Sequence, residues 1–153
     1  MSFQSIEEIV HFAIDKEREA IAFYEAASKQ EEYSGAKNLF EEFADEERKH
    51  EALLQGLLTG EVDLADYKFE WISDIKRSNY LVDMSPEKGM SYPDILRLAM
   101  KREEKALQLY KDLSEKTDDP ELLKILKVLR QEEAKHKLAL ETLYDDYMAE
   151  LGD

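Results

Sequence analysis

The sequence predicts an all-α protein: a four-helix bundle of two antiparallel helical hairpins joined by a long crossover. Three observations carry this reading. Charged residues make up 37% of the 153-residue chain and apolar residues 43%, against five Gly and three Pro. That balance suits long amphipathic helices and leaves a strand-rich fold short of turns. Apolar residues recur at three- and four-residue steps along four separate stretches. Finally, a shift of 86 residues aligns 13–54 with 99–140 without a gap, with identities that include Ala13/Ala99, Glu17/Glu103, Ala20/Ala106, Tyr24/Tyr110, Glu47/Glu133 and His50/His136. Two copies of one hairpin about a pseudo-twofold axis explain that repeat. The length suits one domain, residues 1–153, with a single core.

The first helix opens at Ser5, whose pairing with Glu8 has the form of a capping box, and runs to about Gln30. A short polar stretch, EEYSG, follows. The second runs from about Ala36 to Leu58, with Ser34 as its candidate N-cap. Ser91, Asp94 and Pro93 open the third, which continues to about Lys116. Asp119-Pro120 opens the fourth, with Asp119 as N-cap and Pro120 at the first helical position, and it ends near Leu151. Four helices of roughly 25 residues would each be ~38 Å long. Between the second and third lies the connector 59–91, in which YKFEWISDIK is expected to form a short helix packing Trp71 and Ile75 onto the body. Its function is not legible.

Each helix has one inward stripe, and each stripe carries acid. Glu17 lies among Ala13, Ala20, Tyr24 and Ala27; Glu103 lies among Ala99, Ala106, Tyr110 and Leu113. Glu47 and His50 share a stripe with Ala36, Phe40, Phe43, Leu54 and Leu57. Glu133 and His136 share one with Leu122, Leu126, Leu129, Leu140 and Leu143. Four glutamates and two of the three histidines therefore occupy positions that should be apolar. Each uncompensated buried carboxylate costs several kcal/mol, and four together repel one another. No lysine or arginine shares these stripes. A pair of divalent cations satisfies four carboxylates and two neutral imidazoles at once, by one Glu from each of two helices and Glu-x-x-His from each of the others. The lone glutamate precedes the motif glutamate by 30 residues in both halves, as a hairpin that levels them requires.

Neighbouring residues read differently. Glu46 and Glu132 lie 100° off the stripe and are expected to pair with Lys49 and Lys135 on the surface. Glu19 and Glu104 are also off-stripe, and His11 is a surface residue or a helper rather than a ligand. Tyr24 and Tyr110 pack in the core, where a buried hydroxyl needs a partner; a ligand carboxylate can be that partner.

The formal charge of −15 argues against nucleic acid or an anionic membrane surface as partner. The absence of cysteine excludes disulfides, thiolate metal sites and a cysteine nucleophile. Without a basic, apolar leader or an apolar span, the expected location is cytoplasmic.

The segments EREAIAFY, FADEERKH, EEKALQLY and LRQEEAKH resemble the rubrerythrin branch of the ferritin-like superfamily. That resemblance covers the four helices. It implies Glu17 and Glu103 as terminal ligands, Glu47 and Glu133 as bridges, and one metal each for His50 and His136. It implies two iron ions, with manganese or zinc as alternatives, and a non-haem di-iron oxidoreductase that reduces hydrogen peroxide or dioxygen. Electrons would come from an external donor or from ferrous iron, because the rubredoxin domain of rubrerythrins, with its four cysteines, has no counterpart here. It also implies a homodimer or higher homo-oligomer; helix exchange through the connector is one route to it. Rubrerythrins carry an extra glutamate one turn beyond the third-helix ligand; that position is Ala106 here, so the ligand set is symmetric. Ferritin proper, with its fifth helix, and a haem site, for which the second helix has no methionine, fit less well. Di-manganese catalase-like chemistry shares the ligands. The alternative function is iron handling or storage without turnover.

Overall fold

The structure, a computed structural model, describes residues 5–30, 34–61, 69, 72 and 91–152. Four helices occupy nearly all of this: α1 (Ile6–Gln30), α2 (Ser34–Thr59), α3 (Tyr92–Ser114) and α4 (Pro120–Gly152). Three of the four expected N-termini are capped as read. Ser5 Oγ accepts from the Glu8 amide at 3.2 Å, Ser91 Oγ from Asp94 at 3.4 Å, and Asp119 Oδ2 from Leu122 at 2.9 Å. Each thereby satisfies a donor that the first helical turn leaves open. In α2 the helix begins at Ser34 itself, two residues earlier than its apolar stripe suggests. α2 ends at Gly60, whose φ of +79° lets the Glu61 amide reach back to the Gly56 carbonyl at 2.8 Å. This 6→1 bond is the Schellman closure that favours glycine. α4, at 33 residues, is longer than the uniform expectation, about 50 Å at 1.5 Å per residue.

Contacts settle the directions. α1 packs antiparallel to α2, since Glu17 lies beside His50 while Tyr24 meets Phe43 and Phe40. α3 packs antiparallel to α4 in the same way, with Tyr92 against Tyr147, Arg97 on Tyr144 and Glu103 beside His136. α2 meets α4 antiparallel through Glu46/His136 and His50/Glu133. α2 and α3 therefore run in the same direction, the topology of two hairpins with a crossover. Of the connector, Phe69 and Ile72 are described: Phe69 lies under the Lys127 ammonium at 4.3 Å, and both line a groove on α3 and α4. Trp71 and Ile75 lie outside the described residues.

Two apolar clusters form the core, and the repeat exchanges them. One holds Phe40, Phe43, Ile95, Leu96, Ala99 and Leu140; the other holds Leu126, Leu129, Ile9, Val10, Ala13 and Leu54, each the 86-residue counterpart of a member of the first. Between them lies a layer of buried charge. The inner stripes are buried as expected at Phe40, Leu54, Leu122, Leu126, Leu129 and Leu140. They are incomplete at Ala20, Leu57, Ala106 and Leu143, which are only half-buried. An alanine on each of two facing helices is too short to close the gap between α1 and α3. A second departure is the buried pair Lys137–Glu141 on α4, 3.5 Å apart. At i,i+4 spacing such a pair reads as a surface salt bridge, so nothing in the sequence marked it as interior.

Candidate metal centre

All six stripe residues converge in the polar layer, and each is at least 95% buried: Glu17, Glu47, His50, Glu103, Glu133 and His136. They form two overlapping quartets whose ligand atoms lie within 4.8 Å of one another: Glu17, Glu47, His50 and Glu133, and Glu47, Glu103, Glu133 and His136. Glu47 and Glu133 belong to both. The remaining four residues split evenly, one carboxylate and one imidazole to each quartet. His50 points Nδ1 at Glu133 (3.1 Å), Glu17 (3.6 Å) and Glu47 (3.7 Å). His136 points Nδ1 at Glu47 (3.0 Å), Glu103 (3.6 Å) and Glu133 (4.0 Å). The two rings stack nearly parallel, 6.2 Å apart, and Phe43 lies against His136 at 4.1 Å.

Buried polar atoms are ordinarily hydrogen-bonded. Here Glu17 Oε2, Glu47 Oε1, Glu103 Oε2, Glu133 Oε1 and both histidine Nδ1 atoms are buried with no hydrogen-bond partner. One atom from every residue of the constellation is thus left facing the same space. Hard carboxylate oxygens with one imidazole per site form a donor set suited to first-row divalent metals. The residues fit a pair of metal ions.

Without metal, protons are drawn in instead. Burial, together with neighbouring Glu47, pushes the Glu17 carboxyl up to about 8. Burial also drives Glu133 well above the carboxylate range, reinforced by Glu103 and Glu47. For His50, burial pulls downward, but Glu17 and Glu47 overcome it and raise the imidazole to about 10. His136 is raised likewise, by Glu103, Glu46 and Glu47 against burial. For Glu47 burial pulls upward; the close approach of Glu17 and of both imidazoles prevails and holds it well below the usual range. A cluster that must gather protons to be buried can exchange them for cations.

Around the cluster, Tyr24 donates its hydroxyl to Glu103 and Tyr110 donates to Glu17. Each tyrosine thus serves the opposite half of the repeat. Burial raises both phenols well above their ordinary range, with Glu103 and Glu17 adding to it, so both stay neutral donors. Glu46 corrects the sequence reading. It does not turn outward to Lys49 but bonds His136 Nε2, which holds its carboxyl below the usual range. An apolar stripe marks the inward face of one helix alone; a residue 100° off the stripe of α2 sits at the α2–α4 seam, within reach of the neighbour's ligand. Its counterpart Glu132 does pair with Lys135, at 3.1 Å. Glu19 and Glu104 pair with Lys16 and Lys101, and His11 is exposed.

The ferritin-like domain profile matches residues 6–145, all four helices and all six residues of the cluster. The chain belongs to the ferritin-like domain family. A solved structure of a hypothetical protein from Pyrococcus furiosus is similar to this ferritin-like chain, with 28% identity, a TM-score of 0.65, and coverage of 92% of this chain and 89% of the other. No curated protein matches it. The family shows the bundle, and a buried Glu/His cluster that can hold metal lies at its centre. Among the described residues no helix is long and apolar enough to cross a membrane.

Proposed function

We propose that the protein is a rubrerythrin-like di-iron oxidoreductase that reduces hydrogen peroxide or dioxygen, with electrons from an external donor or from ferrous iron. The observation that carries this is the pair of quartets sharing Glu47 and Glu133, with a buried, unpartnered donor atom on every member. Glu47 and Glu133 would bridge the two metals, Glu17 and Glu103 would each close one end, and His50 and His136 would each bind one ion. Held there, two adjacent ferrous ions would supply the two electrons that peroxide reduction needs.

The chain's own groups do the rest. Tyr24 and Tyr110 hold Glu103 and Glu17 by one oxygen and leave the other turned inward. By accepting from Nε2–H, Glu46 selects the His136 tautomer whose Nδ1 lone pair faces the cluster. The apolar clusters above and below exclude bulk water, so oxidant reaches the site from the α1–α3 side, where Ala20 and Ala106 leave an opening. With one imidazole on each metal and Ala106 in place of a further carboxylate, the two positions have the same ligand inventory.

The test is rapid mixing of anaerobic ferrous protein with hydrogen peroxide and, separately, dioxygen. Oxidation within seconds by either supports an oxidoreductase. Ferrous iron retained for many minutes against both defeats that reading and leaves iron handling without turnover.

A further inference from the structure

The opening between α1 and α3 is larger than a small oxidant needs. A cavity of about 390 Å³ runs between Ala20 and Ala106 down to the carboxylates of Glu17, Glu47, Glu103 and Glu133. It falls within the ~300–1,000 Å³ typical of sites for organic ligands. Its walls are apolar: Phe12, Leu109 and the two alanine methyls.

Its mouth inverts the charge of the molecule. In a chain of net charge −15, the rim carries Lys16, Arg102 and Lys105 against one carboxylate, Glu19. Lys16 is engaged with Glu19 at 3.3 Å. The Arg102 guanidinium lies over the Phe23 ring at 4.6 Å and has no carboxylate partner among the described residues, and Lys105 is exposed. Fixed cations at an apolar cleft attract and orient an anion. Four carboxylates and two divalent cations sum to zero, so a metal-loaded floor offers no net charge to a head group.

We propose that this cavity binds a small organic carboxylate with an apolar body. Arg102 and Lys105 hold its head at the mouth, and its apolar end lies against Phe12, Ala20, Ala106 and Leu109 above the cluster. The inference rests on the di-metal reading only for the neutral floor.

The experiment uses Zn(II)-loaded protein, whose metal is redox-inert, with zinc per chain measured on every sample. Hexanoate and octanoate are titrated by calorimetry beside hexanol and octanol. One carboxylate per chain is expected, at least tenfold tighter than the matching alcohol. Arg102→Gln should remove about tenfold of the carboxylate affinity and leave the alcohol unchanged, whereas Ala106→Leu, which fills the cavity, should abolish both. No binding, equal affinity for acid and alcohol, or an unaltered Ala106→Leu titration would overturn the proposal. Should the leucine variant not fold, Arg102→Gln carries the test alone. Two zinc ions per chain without carboxylate binding would leave the metal reading standing and this inference refuted. Carboxylate binding by protein that holds no zinc would refute the metal reading, and with it the neutral floor, and would overturn the inference as stated.

Discussion

Glu133 belongs to both quartets and is 2% exposed, so Glu133→Met separates what the residue does for stability from what it does for metal. In the metal-free protein its carboxyl is buried with one oxygen unpartnered, and burial beside Glu103 and Glu47 forces it toward the protonated form. A buried polar group so placed costs roughly 1–3 kcal/mol. Methionine is similarly long, opens no large void and adds apolar burial at ~0.8 kcal/mol per methylene. Metal-free Glu133→Met should therefore be more stable than the parent by roughly 1–3 kcal/mol. At ~2–4 °C per kcal/mol for a chain of this size, its Tm should rise by roughly 2–12 °C. Metal reverses the order: at a hundredfold excess over Kd each bound ion stabilises the parent by ~2.7 kcal/mol, and the variant gains nothing. The assay is thermal unfolding by far-UV circular dichroism, with a chelator and with saturating Zn(II). If the metal-free variant loses stability as an ordinary core truncation does, the carboxylate is a satisfied structural group and the metal account fails at its root.

Other expectations follow from the surrounding groups. Tyr24→Phe and Tyr110→Phe keep the rings but release Glu103 and Glu17; each should weaken metal binding by roughly 10–100-fold, checked by calorimetric titration with Mn(II), and should cost the metal-free protein roughly 1–3 kcal/mol for the carboxylate oxygen left unpartnered. Glu46→Gln should weaken the His136 position by about tenfold, whereas Glu132→Gln, beside Lys135, should leave both positions unchanged in the same titration. Metal-free stability should fall as pH rises. Glu17 moves from 4.5 to about 8 and His50 from 6.5 to about 10 on folding, so the folded chain holds more protons than the unfolded one. That stabilisation is complete below the unfolded values and lost as pH rises through the folded ones. Glu46 and Glu47, lowered on folding, contribute constantly throughout this window. Urea midpoints measured in chelator should decline from pH 6.5 toward 10; a flat or rising trend contradicts the protonated cluster.

Most of the bundle was legible because each helix carries its own local signals. Caps at Ser5, Ser91 and Asp119 and the apolar stripes through Phe40 and Leu126 depend only on residues within a few positions. The convergence of the six buried residues was legible for a different reason: carboxylates on an apolar stripe are costly, and the repeat presents them twice. What was missed depends on contacts between helices. Glu46 reaches His136 across the α2–α4 seam, a distance no single-helix pattern encodes. The crossed pairing of Tyr24 with Glu103 and Tyr110 with Glu17 needs the twofold geometry of α1 and α3. The cavity at Ala20 and Ala106 arises because two short side chains face each other, which only the packed bundle reveals.

The central claim is that Glu47 and Glu133 join two metal positions into one site. Anaerobic titration of metal-free protein with Fe(II), read by bound iron per chain, tests it most directly. Two irons per chain, both lost together in Glu47→Ala, are the predicted result. A single iron, no iron, or two irons retained by Glu47→Ala would contradict it.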